Sequence, residues 1–121
     1  MSTILTAPEA IVLAAGQGTR MRSRIPKVLH PLAGRPLVLH VLDALAAIGV
    51  ERPVVVTGHG ADAVEGAVRD RAATRRQEPQ RGTADAVRIG LEAIASSNGV
   101  VIVTMGDAPL LPPSLLERVV A

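Results

Sequence analysis

The sequence predicts an α/β fold with a largely parallel sheet. Short apolar runs, typical of buried strands, alternate along the 121 residues with segments in which apolar side chains recur every three or four positions. Several of these runs end at or next to glycines, where a strand can leave its sheet. Hydrophobic residues are 48% of the chain, and Phe, Tyr and Trp are absent. One domain-sized core must therefore be built from Leu, Val, Ile and Ala.

The first predicted strand is the apolar run at residues 10–15. A glycine-containing segment comes after it and extends to about Leu32. Pro26 and Pro31 keep this segment from becoming helix, because proline lacks the backbone donor and clashes with the preceding turn. The first strand therefore leads into a loop.

The middle of the chain predicts a helix, a strand and a second helix. Residues 35–48 carry apolar side chains on one helical face, with Pro36 in the first turn and Gly49 as the stop. Residues 53–57 predict the second strand, and residues 62–72 predict the second helix. This order is typical of a parallel sheet connected by helices.

The rest of the chain continues the alternation. Residues 74–77 predict a short strand and residues 82–95 a third helix. The β-branched run at residues 100–104 predicts a central strand. Ser114 can cap a last helix whose body is residues 115–120.

The last helical pattern stops at Ala121 without a capping residue. Full helices end in groups that satisfy their free carbonyls. We therefore expect residues 1–121 to be the N-terminal part of a longer domain, truncated before its remaining elements.

The segment LAAGQGTRM at residues 13–21 is the most informative part of the chain. Gly16 and Gly18 allow the backbone to approach a ligand closely, and Arg20 and Lys27 add two cations, which indicates a loop that holds phosphate oxygens. Met21 stands where G-x-G-x-x-G needs its third glycine and where a Walker A loop needs its second. Both of those loops are thereby excluded, and a plain strand-to-loop turn stays open as the alternative.

Metal sites of sulfur or histidine are not indicated. The absence of cysteine excludes disulfides, thiolate metal sites and thiol catalysis. His59 lies between two glycines and is typical of a turn, while His30 and His40 have no second ligand at metal-binding spacing. We expect all three histidines to be structural.

The composition also limits the partners. The net charge is only +2 and aromatic rings for base stacking are absent, so we expect no nucleic-acid partner. The basic cluster favours a solvated face over a functional patch; it consists of Arg69, Arg71, Arg75, Arg76 and Arg81. With no signal-peptide pattern and no apolar stretch long enough to cross a bilayer, we expect a soluble cytoplasmic protein with no membrane partner.

Three features fall at the carboxyl ends of predicted strands, where ligands bind in doubly wound sheets. They are the loop after the first strand, the segment QEPQRGT at residues 77–83, and Asp107 after the strand at residues 100–104. Together at one edge of the sheet they indicate a nucleotide–metal site.

Each of these features also has a simpler interpretation. Asp107 can form an Asx turn before Pro109. Gly82 and Thr83 can serve as ordinary helix capping residues, and Gln77 can be a surface residue.

Four segments resemble the sugar-nucleotide pyrophosphorylases. They are LAAGQGTRM at residues 13–21, PKVLHPLAGRPL at residues 26–37, Gln77 with Gly82-Thr83, and GDAPL at residues 106–110. The resemblance is greatest to the uridylyltransferase domain of the bifunctional N-acetylglucosamine-1-phosphate uridylyltransferases/glucosamine-1-phosphate acetyltransferases, and it covers about residues 10–116. It implies a Rossmann-like, GT-A-like nucleotidyltransferase fold, with a mostly parallel sheet flanked by helices.

The resemblance also implies substrates and roles. The reaction would transfer a uridylyl group from UTP to N-acetylglucosamine 1-phosphate, with pyrophosphate as the second product. Lys27 would bind the α-phosphate and Arg20 would face the β- and γ-phosphates, which makes these two the expected catalytic residues. Asp107 would ligate Mg²⁺.

The implied UTP-binding set combines backbone and side-chain contacts. Backbone groups of residues 13–16 would lie against uracil and ribose, and Gln77 with Gly82 and Thr83 would hydrogen-bond the uracil. The full set is Leu13, Ala14, Ala15, Gly16, Gly18, Thr19, Arg20, Lys27, Gln77, Gly82, Thr83, Gly106 and Asp107.

The chain departs from the family's pattern at Met105, where tyrosine is common, so a contact that needs a phenol is lost. By the resemblance, the sugar-binding residues, a second Mg²⁺ ligand and the β-helix acetyltransferase domain that forms a homotrimer all lie beyond Ala121. We expect the 121-residue chain to keep most of the nucleotide side and to have little or no turnover alone.

Two alternatives stay open. One is another nucleotidyltransferase with a similar first loop, of the cytidylyltransferase or guanylyltransferase type. The other is a non-catalytic nucleotide-binding module, although the presence of Arg20, Lys27 and Asp107 together argues against it.

Overall fold

The computed structural model describes residues 9–15, 25–79, 81–94 and 101–107, and it confirms the α/β fold with a parallel sheet flanked by helices. The strands are β1 (Glu9–Ala14), β2 (Pro31–Leu32), β3 (Arg35–Pro36), β4 (Val54–Thr57), β5 (Ala73–Arg76) and β6 (Val101–Met105). The helices are α1 (Leu37–Ala47), α2 (Ala61–Val68) and α3 (Thr83–Ala93), with a short 3-10 turn at Lys27–Leu29. The helix expected at residues 115–120 lies outside the described residues.

The main sheet has four strands in the order β5-β4-β1-β6, and every neighbouring pair is parallel. From β1 the chain moves outward through β4 to β5, and it then returns to add β6 on the other side of β1. The direction of winding therefore changes between β1 and β6. In open α/β sheets this change opens a crevice at the carboxyl ends of the strands.

The two faces of the sheet carry separate cores because successive side chains of a strand point to opposite sides. Ala10, Val12 and Ala14 face α1 and α2, whereas Ile11 and Leu13 face α3. Both cores are aliphatic, and every residue of β1 after Glu9 is buried. Burial on both faces explains why the sequence of β1 is a continuous apolar run.

The prediction of a helix from residue 35 was wrong at its start. Arg35 and Pro36 form β3, which pairs antiparallel with β2, and α1 begins only at Leu37. Ala33 and Gly34, both with positive φ, form the two-residue turn between the strands. Gly49 does end α1, as expected: the helix closes at Ile48, and Gly49 comes next with φ 97°.

Two further differences from the sequence-based expectation concern the end of the second helix and the segment between Pro26 and Pro31. The second helix ends at Val68 rather than at residue 72, because the amides of Arg71 and Ala72 both turn back to the Val68 carbonyl, at 2.8 and 2.9 Å. β5 begins directly after this turn, at Ala73. Pro26 and Pro31 also do not exclude all helix, since a 3-10 turn fits between them.

Among the described helices, none is both long and apolar enough to span a bilayer.

Close packing of α3 on β1 yields a stability prediction. A Cβ atom at Gly90 would lie 2.7 Å from Ile11 Cγ2 and 2.9 Å from Ile11 Cδ1, and Ile11 is fully buried. We expect Gly90→Ala to lower the free energy of unfolding by about 1–3 kcal/mol, because overpacking outweighs the better helix propensity of alanine. Urea denaturation followed by far-ultraviolet circular dichroism measures this change.

Gly66 is the matched control, since it also lies within a helix but a Cβ there meets nothing within 4 Å. Gly66→Ala should raise the free energy of unfolding by about 0.5–1 kcal/mol. A Gly90→Ala protein as stable as the wild type would show that α3 does not depend on this close approach.

Candidate functional site

The candidate site lies at the carboxyl ends of β1 and β6, where the winding of the sheet reverses. The two strands remain joined up to their last residues: Leu13 is the register partner of Met105, and the Gly106 amide donates to the Leu13 carbonyl at 2.9 Å. The chain therefore leaves β1 and β6 at neighbouring points of the same edge.

An ion pair joins the segment just after β6 to the 3-10 turn at Lys27–Leu29. Lys27 Nζ lies 3.1 Å from Asp107 Oδ2, with 51% of the lysine side chain and 27% of the aspartate side chain exposed. The residues are eighty positions apart in sequence, and both were predicted site residues. The structure thus brings together the expected phosphate-binding cation and the expected metal ligand.

Lys27 is held by a rigid local frame. It begins the 3-10 turn, in which the Leu29 amide donates to the Pro26 carbonyl at 2.9 Å and the His30 amide donates to the Lys27 carbonyl at 3.0 Å. Val28 is buried in the core behind it, and Pro26 is buried against Gly60, where a Cβ would overlap the proline ring. The backbone of Lys27 is anchored while its ammonium group stays half exposed.

Gly106 permits the close approach of the two strand ends. A Cβ at this position would lie 3.0 Å from Val28 Cγ1 and 3.3 Å from the Leu13 carbonyl oxygen. Any side chain here would press on both β1 and the segment that carries Lys27. The absence of a side chain at Gly106 therefore allows the Asp107 carboxylate to lie next to Lys27.

The end of β1 offers backbone rather than side chains. Leu13, Ala14 and Ala15 are each at most 6% exposed, and the Leu13 carbonyl already accepts a hydrogen bond within the sheet. The predicted site residues Gly16, Gly18, Thr19 and Arg20 lie outside the described residues.

A second cluster forms where β5 ends and α3 begins. Gln77 is only 2% exposed, so the interpretation of it as a surface residue was wrong. Its amide nitrogen donates to the Gly82 carbonyl and to Asp85 Oδ2, both at 3.0 Å. The predicted residues Gln77 and Gly82 are thus in direct contact.

Gly82 is the N-cap of α3, with φ 94°, and Thr83 is the first helical residue. The glycine conformation explains why this position carries no side chain. The capping interpretation is therefore correct for Gly82, and it does not compete with a binding role: amides in the first turn of a helix lack partners within the helix and can face a ligand.

A polar network fixes the end of β5. Thr57 is fully buried at the end of β4, and its hydroxyl donates to Glu65 Oε2 at 3.0 Å. The backbone carbonyl of Thr57 accepts from the backbone N–H of Gln77 at 2.8 Å. Glu65 also accepts from Arg76 Nε at 2.8 Å. The hydrogen bond from Arg76 is the main cause that lowers the pKa of Glu65, and the Thr57 hydroxyl adds to it against the opposing effect of burial.

Sequence reasoning missed Thr57, Glu65 and Asp85. The helical periodicity of residues 62–72 and 82–95 says nothing about Glu65 or Asp85, because each lies eight positions from a hydrogen-bond partner outside its own helix. The basic cluster lies mostly at the surface, and two of its arginines form ion pairs there: Arg76 contacts Glu65 and Asp62, and Arg71 lies 2.6 Å from Asp43.

The described residues hold no group of three His, Cys, Asp or Glu side chains that could bind a metal ion by themselves. Asp107 contributes one carboxylate at the strand ends. Mg²⁺ is commonly held by one or two carboxylates together with substrate phosphates, so a single aspartate beside a phosphate-binding cation fits that chemistry.

A parallel sheet whose winding reverses between β1 and β6 is the architecture of the doubly wound α/β domains, many of which bind nucleotides at that point. The chain belongs to the MobA-like NTP transferase domain family, whose model matches residues 10–121. The prediction of a nucleotidyltransferase domain is thereby confirmed.

Two curated relatives illustrate the similarity. The chain is 49% identical over 119 residues to the bifunctional protein GlmU of Rhodospirillum rubrum, covering 96% of this chain and 26% of the relative. It is 46% identical over 112 residues to the bifunctional protein GlmU of Exiguobacterium sp., covering 93% and 25%. The chain thus spans about a quarter of the length of these relatives.

Solved structures share the fold. A nucleotidyl transferase from Methanothermobacter thermautotroptrophicus matches with a TM-score of 0.83 at 28% identity, covering 94% of this chain and 56% of that one. The inositol-1-phosphate CTP transferase from T. maritima matches with 0.79 at 30% identity, covering 96% and 50%. Rv0371c of Mycobacterium tuberculosis in complex with manganese matches with 0.75 at 26%, covering 94% and 58%.

The network around Glu65 generates a pH prediction. Because the pKa of Glu65 lies below its usual value near 4.5, the stability it contributes is fully present above that pH and is lost as the pH falls through the folded-state pKa. Glu65→Gln should lower the free energy of unfolding at pH 7 by about 1.5 kcal/mol, the lower end of the range for a hydrogen bond to a charged group. The difference from the wild type should shrink on acidification below pH 4.5.

Urea denaturation at a series of pH values measures this dependence. Glu92→Gln is the control, because Glu92 is 65% exposed and pairs with Arg88 on the outer face of α3. A Glu65→Gln protein that keeps its full deficit at acid pH would contradict the assignment of the network to the charged form of Glu65.

Proposed function

We propose that this chain is the nucleotide-binding part of a UTP-dependent N-acetylglucosamine-1-phosphate uridylyltransferase. The observation that carries the proposal is the Lys27–Asp107 ion pair of 3.1 Å at the carboxyl ends of β1 and β6. It would supply a cation for phosphate and a carboxylate for a metal at the crevice expected where the winding of the sheet reverses. The similarity to two GlmU proteins at 46% and 49% identity supports the choice of substrates.

The proposed reaction is a displacement at phosphorus. An oxygen of the sugar phosphate attacks the α-phosphorus of UTP, and the bond from that phosphorus to the bridging oxygen of the β-phosphate breaks. UDP-N-acetylglucosamine and pyrophosphate are the products. The attacking oxygen is already ionised, so the reaction needs positioning and charge neutralisation rather than a general base.

Lys27 would take the α-phosphate, because its anchored backbone and half-exposed ammonium group suit a point contact with a phosphate oxygen. It is the only lysine in a chain with twelve arginines, so it alone presents an ammonium group rather than a planar guanidinium group. Arg20 would face the β- and γ-phosphates, an assignment that rests on the family resemblance.

Asp107 would hold Mg²⁺ together with the triphosphate, and the metal would supply neutralisation of phosphate charge. The structure of Rv0371c, which shares this fold, is a complex with manganese, and this supports a divalent metal as a ligand of the present chain. On binding, Lys27 and Asp107 would exchange their contact with each other for contacts with phosphate and metal.

The uracil would lie against the cluster of Gln77, Gly82 and Thr83. Gln77 presents a hydrogen-bonding amide in a buried position, and the first turn of α3 adds backbone amides. Backbone groups at the end of β1, with Gly16, Gly18 and Thr19, and Gly106 would complete the pocket for ribose and phosphates.

A second candidate is cytidylyl transfer. Its support is the T. maritima inositol-1-phosphate CTP transferase, which matches this fold with a TM-score of 0.79 at 30% identity. Isothermal titration of the 121-residue chain with UTP, CTP, GTP and ATP in the presence of Mg²⁺ separates the candidates. Tightest binding of CTP would overturn the uridylyl proposal, and absence of binding to all four would overturn a nucleotide site.

Pyrophosphate release tests turnover. With UTP and N-acetylglucosamine 1-phosphate, we expect little or no release from the 121-residue chain and robust release from a chain extended at its carboxyl end. A silent extended chain that still binds UTP would favour a non-catalytic nucleotide-binding module.

Lys27 gives the mutational prediction. Lys27→Met should weaken UTP binding by about 10- to 100-fold, because a charge-assisted phosphate contact is lost. Isothermal titration measures the affinity. Arg52→Met is the control: it removes an exposed cation just before β4, at the opposite end of the sheet, and should leave the affinity within about twofold. An unchanged affinity in Lys27→Met would remove Lys27 from the phosphate site.

A further inference from the structure

The hydrogen bonds of Gln77 determine what its side chain can offer a ligand. A primary amide has two N–H donors and one carbonyl acceptor. The amide nitrogen of Gln77 lies 3.0 Å from the Gly82 carbonyl and 3.0 Å from Asp85 Oδ2, which uses both donors. The carbonyl oxygen is then the polar atom of this amide that remains for a ligand, and it can only accept.

Asp85 is held in place for this contact. Its two carboxylate oxygens are divided between partners: Oδ2 accepts from Gln77, and Oδ1 accepts from Arg88 at 2.8 and 3.2 Å. Only 19% of the Asp85 side chain is exposed, against 58% for Arg88. The hydrogen bond from Gln77, and after it that from Arg88, lowers the pKa of Asp85, so the carboxylate stays ionised and remains an acceptor.

Asp85 and the Gly82 carbonyl together oppose a flip of the amide. Turning Gln77 by half a rotation about its last bond would place its carbonyl oxygen against a carboxylate oxygen and a backbone carbonyl oxygen. Two acceptors facing one another lose a hydrogen bond each and repel. Without Asp85 only one of these two acceptors remains, and the flipped amide becomes accessible.

We propose that Asp85 is a specificity-determining positioning residue, which locks Gln77 as an acceptor so that the site prefers a nucleobase with a ring N–H over one with a bare ring nitrogen. The inference rests on the proposed function, in which Gln77 faces the base. Uracil and guanine carry a ring N–H on their pairing edge, whereas cytosine and adenine present an unprotonated ring nitrogen there. Asp85 therefore acts on base choice without touching the base.

The test compares affinities for two pyrimidine nucleotides. Isothermal titration with Mg²⁺ gives the dissociation constants of UTP and CTP for the wild type, Asp85→Ala, Asp85→Asn and Glu92→Ala. The wild type should prefer UTP, and Asp85→Ala should lower the UTP-over-CTP ratio about tenfold, the effect of one mispaired buried polar group. Asp85→Asn has a single acceptor oxygen, which the charged Arg88 takes, so its NH2 group faces Gln77 and favours the flipped amide; the ratio should fall at least as far as in Asp85→Ala.

Glu92→Ala is the matched control. Glu92 pairs with the same Arg88, at 2.6 Å, but does not contact Gln77, so the ratio should not change. A structural role for Asp85 alone would weaken UTP and CTP equally and leave the ratio intact in Asp85→Ala. That result, or equal binding of UTP and CTP by the wild type, would overturn the inference.

The same titration, extended to GTP and ATP for the wild type and Asp85→Ala, separates this inference from the proposed function. If the wild type binds GTP more tightly than UTP, and Asp85→Ala lowers the preference for GTP over ATP, the role of Asp85 stands and the uridylyl proposal fails. If the wild type binds no nucleotide, both fail. If Asp85→Ala binds UTP with an unchanged preference over CTP, the role of Asp85 alone fails.

Discussion

The pairing of β1 with strands on both of its sides is the constraint on which the structure depends. β4 and β6 both pair in parallel with β1, one on each side of it. After β1 the chain forms β4 on one side, and it later returns to form β6 on the other side. Since all three strands end at the same edge, the residues just beyond them are brought together there. The ion pair of Lys27 with Asp107 depends on this register, which places Asp107, and on the packing of Pro26 and Val28, which places Lys27.

Close packing of the residues next to Lys27 and Asp107 fixes where these two charged side chains lie. Gly106 fits against the Leu13 carbonyl, Pro26 packs on Gly60, and Val28 is buried between them and the core. The segments that contain Lys27 and Asp107 pack closely against the sheet, so a shift of either segment would disturb that packing. The network of Thr57, Glu65 and Arg76 has the same role at the end of β5, where it fixes the strand that leads to Gln77.

The sequence could predict the fold and the proximity of Lys27 to Asp107, because apolar runs, helical periodicity and the edge rule for parallel sheets depend on spacing alone. It could not predict the β2–β3 hairpin, since Ala33 adopts a positive φ that its residue type does not favour. Nor could it predict the burial of Gln77 or its hydrogen bond to Asp85. Both depend on how closely the end of β5 returns to the start of α3, and a pattern within one element carries no information about that distance.

The aliphatic cores on both faces of the sheet have a spectroscopic consequence. Because the chain has no Phe, Tyr or Trp, a nucleobase bound to it would have no aromatic ring of these types to stack on and would be recognised by its edges. The protein is also nearly transparent in the near ultraviolet. In a complex the absorbance and circular dichroism of that region would belong to the bound base, and they would report its surroundings almost free of a protein background.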